Sequence, residues 1–165
     1  MSHMSQSDFE ERYRTDPDPW SYATSAYERE KYAATLAACG NPPFGSALEL
    51  GSSIGIFSAL LAPHCRSLVT IDGAPTAVSA ARERLAGFET VQTILGTIPD
   101  AIPDGSYDLV VASEILYYLQ PAALTGTLDV LRDRMGRAAR ARAEQMFSWD
   151  VLAGRLLGAL HRWGS

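Results

Sequence analysis

The chain has no apolar run approaching the roughly 20 residues that a membrane-spanning helix requires, and no charged-then-apolar leader opens it. Neither a membrane span nor a cleaved signal is expected. Cysteine occurs only twice, as Cys39 and Cys65. That pair makes neither a bridge framework nor a zinc spacing, so a reducing cytoplasm is the expected compartment. There are three histidines, and no cluster of His, Asp and Glu has ligand spacing, so no metal is expected. Positive charge is not in excess either: the net charge is −5, which argues against a nucleic-acid partner. Beyond residue 120 isoleucine is absent and valine is confined to Val130 and Val151. With many Ala, Leu and Arg in their place, residues 121–165 are expected to form a tail of two or three helices with no further strand.

What is present suffices for one packed domain. At 165 residues, 47% of them hydrophobic and 20% charged, roughly 70% of the unfolded surface can be buried without disulfides or a metal. Met1-Ser2-His3-Met4 reads as a tag remnant, and residues 1–7 are set aside as unordered. Residues 8–45 read as a helical lid. Phe9 and Tyr13 belong to a short helix stopped by Asp16-Pro17-Asp18-Pro19-Trp20, because each proline removes a donor and restricts the residue before it. Ser25 with Glu28 resembles a capping box opening a helix over Ala26–Ala38, which ends before Cys39-Gly40-Asn41-Pro42-Pro43.

Residues 46–120 then alternate short apolar runs with helix-length stretches. Strands are expected at 47–50, 67–71, 91–95 and 107–112, and helices at 54–62 and 75–86, with a loop over 99–105. That alternation is the signature of a parallel sheet with right-handed crossovers, covered by helices on both faces. The fold class is α/β with about four parallel strands and an all-helical tail. The tail carries a net +3 against −8 for the first 120 residues, which suits either docking on the acidic body or a solvated arginine face.

Glu49-Leu50-Gly51-Ser52-Ser53-Ile54-Gly55 falls where a strand turns into a helix. Glycine at 51 permits a sharp turn or a close approach to a ligand, and glycine at 55 lets the first helical turn lie near whatever sits above the sheet. A dinucleotide fingerprint requires glycines at 51, 53 and 56, where this chain has Ser53 and Ile56. Glu49 would also repel a pyrophosphate. A ligand with a cationic group and no phosphate fits better. Asp72 closes the second strand 21 residues after Gly51, where an acid reaches the ribose hydroxyls of a nucleoside lying across the strand ends. A charge-assisted hydrogen bond of that kind is worth roughly 1.5–3 kcal/mol. The alternative for Asp72 is a cap on the helix opening at Pro75. For Glu49 it is a solvated strand end, although Leu48 and Leu50 put that residue in a buried strand, where an unpaired charge is costly.

These residues sit in a wider pattern: Asp18-Pro19-Trp20, Ser25-Ala26-Tyr27-Glu28-Arg29-Glu30-Lys31-Tyr32, the 49–55 loop, Leu61-Ala62-Pro63-His64-Cys65 and Ser113-Glu114-Ile115-Leu116-Tyr117-Tyr118-Leu119. Over about residues 8–120 the ordered set resembles the NodS-like class I S-adenosylmethionine (SAM) methyltransferases. The resemblance implies a Rossmann-like sheet, SAM as methyl donor with S-adenosylhomocysteine as product, and a small-molecule acceptor, an amino sugar being the best-known type. It also implies that Glu49, Gly51, Ser53 and Gly55 lie under the methionine part of SAM, that Asp72 takes the ribose, and that Ala74 flanks the adenine. Thr97, in Gly96-Thr97-Ile98-Pro99, stands where such sequences often carry an adenine-binding aspartate. Three further strands would complete such a sheet, and the tail does not supply them. Through Arg134-Met135-Gly136-Arg137-Ala138-Ala139-Arg140 and Phe147-Ser148-Trp149, the tail is instead similar to the end of GT-B glycosyltransferases.

Methyl transfer from a sulfonium requires nucleophile, methyl and sulfur to be collinear in a dry site, and an amine acceptor needs little beyond deprotonation. Ser113 and Glu114 follow the fourth strand and face the crevice; Glu114 is the candidate base and Tyr118 a polar group near the acceptor. The alternatives are a carboxylate stabilised by a helix dipole and a tyrosine packed in the core. Trp20 is a candidate lid aromatic or a packing residue, and Lys31 or Arg29 is placed to meet the SAM carboxylate. His64 reads as a surface or capping residue. A second reading is a SAM-binding module, silent alone because half the fold is missing. The exposed edge of the fourth strand requires cover by the tail or by a second copy, as a homodimer.

Overall fold

The computed structural model describes residues 5–136. Two helices, α1 (Gln6–Thr15) and α2 (Ala26–Ala38), precede the sheet. Strand β1 (Phe44–Leu50) leads through the 51–55 loop into α3 (Ile56–Leu61), and β2 (Cys65–Asp72) leads into α4 (Pro75–Leu85). Then come β3 (Val91–Leu95), β4 (Leu109–Val111) and α5 (Pro121–Arg134). All three strand pairings are parallel and the order is β3-β2-β1-β4. The order reverses at β1, so a crevice opens beyond the carboxyl ends of β1, β2 and β4.

The expected α/β class and four-stranded sheet are what the chain forms, with shifted boundaries. β1 starts at Phe44, inside the span read as lid, and β2 starts at Cys65. β4 is shorter than expected, and the helix expected over 54–62 is α3 from Ile56 to Leu61, followed by a single 3-10 turn, Ala62–His64. The expected capping box at Ser25 is half formed. Ser25 accepts from the Glu28 amide at 3.4 Å, while the Glu28 carboxylate turns to Lys31. The complete box lies at Ser5 and Asp8, so Ser5 caps α1 and residues 6–7 belong to it, not to an unordered remnant.

One face of α1 is stitched to the sheet end. Gln6 donates to the Gly73 carbonyl at 2.6 Å, Glu10 accepts from the Thr76 amide and hydroxyl at 2.9 and 2.6 Å, and the Tyr13 hydroxyl shares a 2.5 Å hydrogen bond with Ser53. Positions 6, 10 and 13 follow the helical repeat, so one stripe makes all these bonds. Two apolar clusters fill the space between sheet and helices, one around Phe44, Ala47, Phe57, Leu61 and Leu68, the other around Leu48, Leu50, Ile71, Tyr107 and Leu131.

The tail departs from the all-helical expectation at its first turn beyond α5. Met135 is extended and bridges in parallel to Tyr107, whose amide donates to the Arg134 carbonyl at 2.8 Å and whose carbonyl accepts from Gly136 at 3.0 Å. This segment covers the outer edge just before β4, which removes at that point the reason for a second copy to cover it. The remaining expected tail helices, and the glycosyltransferase-like residues from Arg137 onward, lie outside the described residues.

Gly55 also has a packing role that the sequence does not show. Its φ is +77°, and a Cβ placed there would stand 3.1 Å from the Ala81 Cβ and 3.2 Å from its Cα. The glycine lets α3 pass close against α4. Gly55→Ala should therefore lower stability by about 1–3 kcal/mol, through the left-handed backbone and the overpacked contact together. A lower urea midpoint with an unchanged slope would be the signature, and an unchanged midpoint would contradict this role.

Candidate functional site

The crevice contains two adjoining hollows that share Phe9, Tyr13, Gly51, Ile115 and Tyr118 as walls. The loop between β1 and α3 forms the ridge between them. Its shape is fixed from β2: the Gly51 and Ser52 amides both donate to the Ile71 carbonyl, at 2.8 and 3.1 Å. Gly51 has φ +75°, and the Ile115 side chain lies 3.0 Å from where a Cβ would stand. Both conditions require glycine.

One hollow, about 180 Å³, lies over the end of β2 and includes Gln6, Asp72, Gly73, Ala74, Gly96, Thr97, Ile98 and Leu119. Asp72 accepts from the Ser53 amide at 2.8 Å and the Ala74 amide at 2.9 Å, one bond to each carboxylate oxygen. It does not cap α4, which has no side-chain cap of its own. Two carboxylate oxygens offer about four acceptor sites, so each Asp72 oxygen keeps room for another donor. Burial pushes the Asp72 pKa up, against the lowering effect of the Ala74, Ser53 and Gly73 amides.

The other hollow lies over β1 and β4 and holds the remaining expected residues: Trp20, Lys31, Glu49, Ser53, Ser113, Glu114 and Tyr118. Glu49 is 4% exposed and accepts from the Ser58 hydroxyl at 2.6 Å. Burial pushes its pKa up to about 7, with the Ser58 bond opposing and the Asp72 charge adding to the rise. Among the described residues, three other than glycine have a left-handed backbone, and two of them, Ser53 (φ +52°) and Glu114 (φ +55°), line this hollow. Such conformations cost on the order of 1 kcal/mol and cluster where a side chain must be aimed.

Glu114 and Lys31, which the sequence reading gave separate tasks, are an ion pair. The Lys31 Nζ lies 2.7 Å from the Glu114 carboxylate and 2.6 Å from that of Glu28. Trp20 both lines the hollow and packs the leader, with Phe9, Tyr13 and Tyr22 ring centroids at 6.0, 5.4 and 5.7 Å. Arg29 instead donates to the Thr24 carbonyl at 2.9 Å.

Residues that the sequence reading did not assign to the site include Gln6, Phe9, Tyr13, Tyr22, Tyr32 and Ile115. The first five form a roof carried by α1, α2 and the segment between them. The 9/13 aromatic spacing was the available signal for α1, but it does not say what the helix packs on. Among the described residues no group of three His, Cys, Asp or Glu could hold a metal ion, and no helix is long and apolar enough to cross a membrane.

The family model for nodulation protein S (NodS) matches residues 3–146. The chain belongs to the NodS family. That match runs through α5 and beyond, further than the 8–120 span on which the resemblance was drawn. Nodulation protein S of Sinorhizobium fredii is 32% identical over 111 residues, which cover 67% of this chain and 51% of that protein. Nodulation protein S of Bradyrhizobium diazoefficiens is 34% identical over 151 residues, covering 87% and 72%. The chain thus spans about half the length of the first of these relatives. The crystal structure of the N-methyltransferase NodS from Bradyrhizobium japonicum WM9 in complex with S-adenosyl-L-homocysteine superposes with a TM-score of 0.74 at 27% identity, covering 81% of this chain and 69% of that one.

The buried Glu49 generates a prediction. Its folded pKa of about 7 lies above the ordinary carboxyl value of 4.5, so the folded state holds the extra proton. Its stabilising contribution is complete below the unfolded value and is lost as pH rises through about 7. Glu49→Gln keeps a neutral partner for Ser58 and should gain about 1–3 kcal/mol over the parent at pH 8, with the gain shrinking toward pH 5. Urea unfolding at both pH values reads it, and a pH-independent difference would contradict it.

Proposed function

We propose that the chain is a SAM-dependent N-methyltransferase acting on an amino group of a small molecule, an amino sugar being the preferred acceptor class. The observation that carries the reading is the pair of adjoining hollows, one centred on Asp72 and the other on acids and aromatic rings, with Gly51 between them. The first suits an adenosine. Ala74 and Ile98 offer apolar walls, and Asp72 keeps acceptor capacity for two vicinal hydroxyls. The second suits cations, because Glu49 and Glu114 outnumber Lys31 among its lining residues and Glu28 lies against that same lysine.

When bound, SAM supplies a methyl group on a sulfonium sulfur that leaves as a neutral thioether. The tasks left to this chain are to hold, orient and dry. Glu49, which is costly to ionise in the unliganded fold, is stabilised as an anion by a nearby cation, and that offsets the desolvation. The aromatic roof from Phe9 to Tyr32 excludes water over the transfer line. An amine arrives protonated and must lose that proton before it attacks; the half-exposed Glu114 carboxylate, which lines this hollow, is the acceptor we assign. Ser113 lies beside it, and Tyr118 packs edge-on to Phe9 at 5.0 Å, at the wall common to both hollows.

Isothermal titration with S-adenosylhomocysteine should show saturable binding that Asp72→Ala weakens at least tenfold, from the roughly 1.5–3 kcal/mol of a hydrogen bond to a charged group. Methyl turnover should be found with amino sugars and not with their N-acetylated forms. Absent uptake, or equal uptake by parent and folded variant, would overturn the reading.

A further inference from the structure

Lys31 is held as a ligand would be held. Its ammonium lies between two carboxylates, 2.6 Å from Glu28 and 2.7 Å from Glu114. Three tyrosine rings surround the same nitrogen, with centroids 5.6 Å away at Tyr32, 5.8 Å at Tyr22 and 5.9 Å at Tyr27. Carboxylates plus aromatic faces are the construction by which proteins bind alkylammonium ions. This one opens into the hollow over β1 and β4, which Lys31, Tyr22, Tyr32 and Glu114 line together. It is assembled from two distant pieces of chain, since 83 residues separate Lys31 from Glu114. A surface ion pair would need neither the ring of tyrosines nor the strained backbone of Glu114.

We infer that this cage is the ammonium seat for the methyl acceptor, and that Lys31 fills it as an internal stand-in which the acceptor's own ammonium displaces. The inference rests on the N-methyltransferase reading and adds the place where the acceptor docks and what it must compete with. Lys31 is tethered beside the seat, so its effective concentration there is high, on the order of millimolar or more. A free amine therefore enters only when the rest of its molecule adds binding energy. Lys31 acts as a specificity-determining residue against small adventitious amines, by occupying the carboxylates they would need.

The test is cavity rescue with methylammonium chloride as the probe. Lys31→Ala should bind methylammonium at least tenfold more tightly than the parent, read by titration calorimetry and by a rise in Tm that equal potassium chloride does not give. The double variant Lys31→Ala/Glu114→Gln should lose that response. Equal affinity in parent and Lys31→Ala, or no response of a folded Lys31→Ala protein, would overturn the inference. If Lys31→Ala does not fold alone, refolding it in methylammonium against potassium chloride gives the reading: rescue by the amine only supports the seat, and no rescue overturns it. S-adenosylhomocysteine titration of the same samples reports the donor site separately, so a failed seat and a failed methyltransferase reading give different results.

Discussion

One carboxylate holds the crevice together. Asp72 ends β2 and accepts one amide from the β1–α3 loop and another from its own following loop. The two turns that flank the topological switch are thereby joined through a single side chain. The Ile71 carbonyl beside it takes the Gly51 and Ser52 amides, so the ridge between the hollows is fixed by three consecutive loop residues pairing to the tip of one strand. Burial raises the cost of the Asp72 charge, and its amide partners lower it. A polar group this committed to backbone amides is preorganised before any ligand arrives, which limits the ordering that binding must pay for.

The roof depends on the same point. Tyr13 bonds to Ser53, whose amide bonds to Asp72, so α1 reaches the carboxylate through one intermediate residue. Gln6 and Glu10 make parallel attachments to Gly73 and Thr76. A departure of α1 would break all of these at once and expose both hollows. The second closure, Lys31 to Glu114, ties α2 to the segment after β4. Roof and floor are therefore joined at both ends by polar contacts and in the middle by aromatic packing around Trp20.

How much of this was legible in the sequence depended on separation along the chain. The Glu49–Gly55 turn, Asp72 and the parallel alternation are local signals, and the structure forms β3 and α4 almost where the pattern puts them. The packing constraint on Gly55 is not legible in the spacing because it comes from Ala81, on another helix. The Lys31–Glu114 pair was invisible for the same reason. Each residue was singled out, but nothing in the spacing says that they meet. Met135 escaped because one extended residue has no periodicity, and only the unpaired edge at Tyr107 gives it a partner. The unordered reading of residues 5–7 failed through setting aside Ser5 with the tag, although Ser5 and Asp8 form a complete capping box.

The central claim is that Asp72 receives the vicinal hydroxyls of a nucleoside, and a thermodynamic cycle tests it most directly. Binding of S-adenosylhomocysteine and of its 2′,3′-dideoxy analogue would be measured on the parent and on Asp72→Ala. The account predicts that removing the hydroxyls costs the parent roughly 1.5 kcal/mol or more and the variant close to nothing, a coupling that only a direct contact produces. The same loss in both proteins would contradict it.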